Sequence, residues 1–346
     1  MAKKNRKKKQ DLPKGMSRRQ AKLAARAAER AALEKDARPY QGLAAEAQLV
    51  ALQEFVPSAV AKLPTKGIDR DVYVATVLPG ASAAFIRDNG DAFVGLQVQQ
   101  HTHNPGRDLA FALNWVKDHQ PGDTLESTAA DGSQPELSEL VDADQPLDIT
   151  VHQDFGWWTP EGGAADPQVA QAIQAANNTV METHPAGAED LTGAAFWSEG
   201  HGDKAYIRWV RPADDENAFL NAIARLAARG DMNVGEDTKF AGVFRTHGLI
   251  APVFDLRPDV AHDSYAAELA RVDAALADEL INDAQLTADE RKQLQNLKSR
   301  QVTLRWRAYP ATAGGSGVGP SATSSSRTAA GTPRRPTARH CRPRCP

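Results

Sequence analysis

Charge is segregated along this chain so sharply that only its middle can build a hydrophobic core. Residues 1–30 hold twelve Lys/Arg against two acids, Asp11 and Glu29. Residues 31–306 hold 22 basic and 42 acidic side chains, and residues 307–346 hold seven Arg and no acid. The formal net charge of −3 therefore hides an acidic body between two basic ends. Residues 308–346 contain no Leu, Ile, Phe, Met, Asp or Glu, so they cannot bury enough apolar surface to fold alone. They read either as a flexible tail or as an out-of-frame coding end, since Arg/Pro/Ala/Gly-rich sequence is what GC-rich DNA yields in a wrong frame.

The expected organisation follows from this. Residues 1–42 form a basic flexible arm with an Ala-rich helix, opened by Ser17-Arg18-Arg19-Gln20 in capping-box form and carrying little more than Leu23 and Leu33 as an apolar face. Within it, residues 36–42 read as a linker. Residues 43–306 form the folded body, divisible into lobes 43–152 and 166–306, and 307–346 form the tail. No apolar run approaches the ~20 residues of a membrane span, and the Lys-rich start does not resemble a secretory signal. The two cysteines, Cys341 and Cys345, fall in the last six residues, which leaves the body without a disulfide or a Cys-based zinc site. A cytoplasmic location is the default expectation.

Hydrophobic spacing predicts an α+β fold: antiparallel or mixed sheets with packed helices. Leu49, Leu52 and Phe55 mark a helix over 43–55, and Val72–Leu78 reads as a central strand buried on both faces. Asp88-Asn89-Gly90-Asp91 predicts a hairpin with a type I′ turn. Asn104-Pro105 opens a helix with Leu109, Leu113 and Val116 inward. Residues 120–145 read as an irregular acidic connection, 147–151 as a strand and 166–184 as a helix. A second set follows: strands at 194–198 and 204–210, a helix over 215–228 ended by Gly230, and a hairpin around His247-Gly248. The last two helices, with Thr287-Ala288-Asp289-Glu290 capping the second, are spaced for an antiparallel C-terminal helical hairpin. Strand, hairpin, helix and strand occur twice in this order. Gly90–Val94 and Gly202–Ile207 occupy like places, which suggests an internal duplication.

Three blocks, Arg38–Leu43, Leu49–Ala59 and Ala75–Pro79, together with Arg107-Asp108-Leu109-Ala110, occur in an order that resembles a family of unknown function from high-GC Gram-positive bacteria. The likeness spans roughly residues 1–306. Members are sometimes labelled preprotein translocase SecA or topoisomerase II. The chain is far too short for either and has no Gly-x-x-x-x-Gly-Lys-Ser/Thr phosphate loop. The resemblance implies no activity and supplies no site residues.

Candidate chemistry is sparse. His101 and His103 have the spacing of two metal ligands on one strand face, but the eightfold βα pattern of the enzymes that use it is missing, and a polar surface turn is the better account. Asp154-Phe155-Gly156 matches a kinase metal-binding triplet without the accompanying catalytic loop. Trp157-Trp158 could stack a base, anchor a partner or pack in a core. Glu199-Gly200-His201-Gly202-Asp203 gathers acids and a histidine in a turn that its glycines alone account for. Catalytic residues stay unknown, and no cofactor is expected; His101 and His103 are the weak metal candidates. The arm carries the clearest signal: Lys3, Lys4, Arg6, Lys7, Lys8 and Lys9, followed by Arg18, Arg19, Lys22, Arg26 and Arg30. Such an arm suits RNA, DNA or the ribosome, bound without sequence preference. Folding back on the acidic body and acting as a solubilising tail are the alternatives to that contact. The expected function is a non-catalytic accessory protein. A ligand-binding or catalytic pocket between the lobes and a protein-interaction module are the rival readings.

Overall fold

The first helix of the body, Glu46–Glu54, is buried on nearly every side, its polar residues Glu46 and Gln53 included. The computed structural model describes residues 36–159, 167–200 and 202–300, with the backbone of 302–303. All of them fall within one unit of the chain, and a second unit, Ala313–Pro346, lies outside them. In chain order the elements are α1 (Glu46–Glu54), β1 (Ala59–Lys62), β2 (Val72–Ala75), β3 (Ala84–Ile86), β4 (Ala92–Gly95), α2 (Pro105–Asp118), β5 (Thr124–Leu125), the short α3 (Leu137–Leu140) and β6 (Ile149–Val151). Then come α4 (Pro167–Asn177), β7 (Thr183–Ala186), β8 (Ala194–Glu199), β9 (Ala205–Val210), α5 (Glu216–Arg229), β10 (Lys239–Thr246), β11 (Leu249–Leu256), α6 (Ala266–Leu280), α7 (Ala288–Arg300) and β12 (Val302–Thr303).

The strands form two sheets, β5-β3-β4-β2-β1-β6 and β12-β10-β11-β9-β8-β7. The first is mixed, because β2 and β4 run parallel. The second is antiparallel except where β12 adds to β10 in parallel. The fold is therefore α+β, as expected. Helix α1 lies between the sheets, and Leu49, Val50, Ala51 and Leu52 are fully buried. One core joins α1 and α2 to the inner face of the first sheet and to Phe196, Val210, Phe244 and Ala251 of the second. Phe55, just past α1, meets Phe196 and Phe244 edge-on at 6.2 Å each. The opposite face of the second sheet packs under α5, α6 and α7 through Trp197, Ile207, Trp209, Phe219 and Leu269. At the sheet edges, the Gln153 side-chain amide donates to the Thr183 carbonyl at 2.8 Å and accepts from the Thr183 amide at 3.3 Å.

Local chemistry explains the element ends. The Asp215 carboxylate caps α5 by accepting from the amides of Asn217 and Ala218, and Gly230 ends it in the left-handed conformation at φ 81°. Thr287 and Glu290 form the expected capping box on α7. Asn104 precedes α2, but its side-chain oxygen accepts from the Asp36 amide and caps no amide of its own helix.

Several expectations need correction. The turn at 88–91 is not type I′. Only Gly90 takes positive φ, the Gly90 amide donates to the Arg87 carbonyl at 2.9 Å, and residues 87 and 91 pair across a three-residue loop. The type I′ turn lies instead at His247-Gly248, with φ 45° and 76°. The two C-terminal helices form, but each takes α5 as its main neighbour, so they flank α5 and do not make a hairpin with one another. Strand β4, the counterpart of β9 in the suggested repeat, is parallel to β2, whereas β9 is antiparallel to both β8 and β11. This difference in wiring lends the duplication no support. Strand β2 is central in its sheet, yet Tyr73 on its outer face is only half-buried. Finally, residues 36–42 are not a linker: Tyr40 is 1% exposed.

Candidate functional site

Residues 36–40 form a strap that the body grips from several sides. Asp36 pairs through both carboxylate oxygens with Arg107 in the first turn of α2, at 3.1 Å each. The Arg38 guanidinium makes a two-pronged contact with Glu46 of α1 at 2.9 and 2.6 Å, and also donates to the Ala213 carbonyl. Two glycines make the fit possible. A Cβ at Gly106 would stand 2.1 Å from the Pro39 carbonyl oxygen, and one at Gly248 would stand 2.2 Å from that of Ala37. The strap thus touches α1, α2, the loop before α5 and the β10–β11 turn, tying both sheets to the point where the basic arm enters the body.

Beneath the strap sits the main buried polar cluster at the junction of the two sheets. The Tyr40 hydroxyl donates to Gln53 Oε1 at 2.8 Å. Burial pushes the Tyr40 phenol well above its ordinary value, and the charges of Asp108 and Glu54 add to this. His247 Nε2 lies 2.6 Å from Glu54 Oε1, with both side chains buried. The His247 ring is 6.3 Å from that of Tyr40. His247 is also a non-glycine residue in the left-handed region, a position that costs energy and is held by its surroundings.

The expected histidine pair falls beside this cluster but outside it. His101 and His103 are both exposed, whereas Thr102 between them turns inward and bonds Asp108 through its amide and hydroxyl, each at 3.0 Å. His101 lines a narrow crevice with Tyr40, Gln53 and Asp108. Among the described residues no group of three or more His, Cys, Asp or Glu could hold a metal ion. His201 lies outside the described residues, as do Lys3, Lys4, Arg6, Lys7, Lys8, Lys9, Arg18, Arg19, Lys22 and Arg26. The Asp154-Phe155-Gly156 triplet is a turn: Asp154 Oδ1 accepts from the Gly156 amide at 2.8 Å, and the buried Phe155 ring stacks on Trp158 at 4.4 Å.

Trp157 and Trp158 are half-buried, and both indoles are anchored. Trp157 Nε1 donates to Ser58 Oγ at 2.9 Å and Trp158 Nε1 to the Val77 carbonyl at 3.1 Å. Trp157 lies against the outer face of the first sheet, where Tyr73, Phe93 and Phe85 form a stack with centroids 5.0 and 5.1 Å apart. The Arg87 guanidinium sits 4.2 Å from the centroid of Phe93 and donates to the Trp157 carbonyl. Sequence reasoning missed this stack because its rings come from three separate strands. The alternation of Tyr73, Phe85 and Phe93 with small inward residues was the available signal.

These two features, a clasped arm root and an aromatic sheet face, belong to a two-sheet α+β protein with a helix enclosed between the sheets. The chain belongs to the family of unknown function DUF5926, whose model matches residues 39–305. The match begins at Pro39, inside the strap. No curated protein and no solved structure matches the chain. No helix among the described residues is long and apolar enough to cross a membrane.

Proposed function

We propose that this protein is a non-catalytic cytoplasmic accessory protein that contacts RNA, DNA or the ribosome through its basic arm, residues 3–30. One observation supports this reading above the others. The body commits two ion pairs, a buried tyrosine and two close-packed glycines to fixing residues 36–40, the root of that arm. A tail that only confers solubility has no need of a fixed root. An arm that delivers a polyanion to the body does, because a short tether sets a high effective concentration for any second contact.

The electrostatics fit the same reading. Six cations in residues 3–9 would each displace counterions from a phosphate backbone, so the arm supplies the attraction that the acidic body lacks. The test is fluorescence anisotropy with labelled single-stranded RNA and duplex DNA, using the full chain and a full-length variant with Lys3, Lys4, Arg6, Lys7, Lys8 and Lys9 all changed to Gln. Binding by the wild type that is lost in the variant is the expected result. Equal affinity of the two proteins would remove the arm from the account.

A further inference from the structure

We propose that the outer face of the first sheet is a stacking site for the bases of single-stranded nucleic acid, a second contact used together with the arm. This inference rests on the polyanion reading above. It starts from a mismatch between composition and cover. A sheet face that no helix covers is ordinarily polar. Here the apolar cluster on the outer face draws on β1 to β4, Leu78 and Trp157, with no α-helix among the described residues contributing. The inner residues of the same strands, among them Val72, Val74, Ile86 and Val94, belong to the main core.

The register places the aromatic side chains in one transverse row. Lys62 pairs with Tyr73, Tyr73 with Phe93, Phe93 with Phe85, and Phe85 with Thr124. The rings are nearly parallel, with interplanar angles of 17° and 11°, so they form a short pile running across the strands. The middle ring, Phe93, is 4% exposed, while the end rings Tyr73 and Phe85 are half-buried. Beyond Phe85 stands the exposed Thr124, and beyond Tyr73 the exposed Lys62. A planar ring added at either end continues the pile, which is how sequence-tolerant single-strand binding works.

This face carries the cations Lys62 and Arg87, with Asp71 and Asp91 beside them. Lys62 is already paired with Asp71 at 2.9 Å, so the cation over the rings is Arg87. Its Nε is buried and has no hydrogen-bond acceptor among the described residues. The Arg87 side chain as a whole is half-buried, and a guanidinium that turns outward can donate to a phosphate oxygen beside a stacked base. A lipid surface would instead be met by large exposed aliphatics. Those of the described residues, Val169, Met181, Val260 and Ile281, lie outside the strands of this sheet.

The test compares a single-stranded oligodeoxyadenylate with inorganic polyphosphate of similar charge, using the full chain. Both polyanions engage the arm, but only the oligonucleotide has bases. The expected result is tighter binding of the oligonucleotide, with quenching of tryptophan emission that polyphosphate does not produce. The Tyr73→Ser/Phe85→Ser double variant should weaken oligonucleotide binding by about tenfold and leave polyphosphate binding unchanged. Arg87→Lys, which keeps the charge and most of the packing, should weaken the oligonucleotide selectively as well, and guards against a variant that fails to fold. Equal binding of both polyanions without quenching would overturn the stacking site while leaving the arm intact. No binding of either would overturn both readings. Sedimentation showing a dimer that these variants dissociate would assign the face to a second copy of the chain and overturn the proposal.

Discussion

Glu54, the last residue of α1, and His247, in the β10–β11 turn, meet at 2.6 Å although 193 residues separate them. Their side chains are 5% and 10% exposed, so the contact is an interior tie between the enclosed helix and the second sheet. It also places a group able to carry positive charge near the carbonyl end of α1, where the helix dipole favours a cation.

Removing one partner should therefore cost far more than breaking a surface pair. Glu54→Ala leaves a buried His247 nitrogen without its hydrogen-bond partner, and a loss of about 1–3 kcal/mol is expected by urea unfolding. A loss below about 1 kcal/mol would place the pair in the surface class. His247→Ala should cost at least as much, because the left-handed backbone at this position disfavours alanine too.

The glycine at position 106 yields a prediction of reversed sign. In an open helix Gly→Ala stabilises by about 1 kcal/mol. Within α2 the new methyl would meet the Pro39 carbonyl oxygen at 2.1 Å, so Gly106→Ala should destabilise and loosen the strap. Amide hydrogen exchange reads this directly at Asp36, whose backbone amide donates to Asn104 Oδ1 at 2.7 Å. Faster exchange of the Asp36 amide in the variant is expected, and unchanged exchange with raised stability would show that the strap does not press on α2.

How much of this was legible in the sequence depends on the distance over which each feature is decided. Helices α2, α5 and α6 are set by their own spacing, and their inward residues Leu113, Ile223 and Leu276 are fully buried as read. Strand β7 escaped because Thr183–Ala186 contains Pro185 and lacks alternation, which an edge strand tolerates. The strap escaped because Arg38-Pro39-Tyr40-Gln41-Gly42 has the local composition of a linker. What buries Tyr40 is set by Gln53, Gly106 and Gly248, remote in sequence. A glycine immediately after the helix-opening Pro105 was the one hint that another backbone comes close there.

His152 gives a pH dependence with a definite sign. Burial lowers its pKa below the ordinary 6.5, against a smaller opposing effect of Asp154. The unfolded chain therefore takes up the proton first as pH falls. Its contribution to stability is complete above 6.5 and declines as pH drops through 6.5 toward the lowered folded value. His152→Gln should remove this part of the acid-side decline, seen as a smaller difference between urea midpoints at neutral and mildly acidic pH. An unchanged difference would mean that other groups account for it.

The central claim is that a clasped basic arm brings a polyanion to an acidic body, and the salt dependence of binding tests it most directly. The logarithm of the association constant for duplex DNA should fall linearly with the logarithm of salt concentration, with a slope of about −0.9 for each phosphate the arm neutralises. The wild type should give a steep slope, and changing the six cations of residues 3–9 to glutamine should flatten it. A slope near zero in the wild type, or one that the six substitutions leave unchanged, would contradict the account.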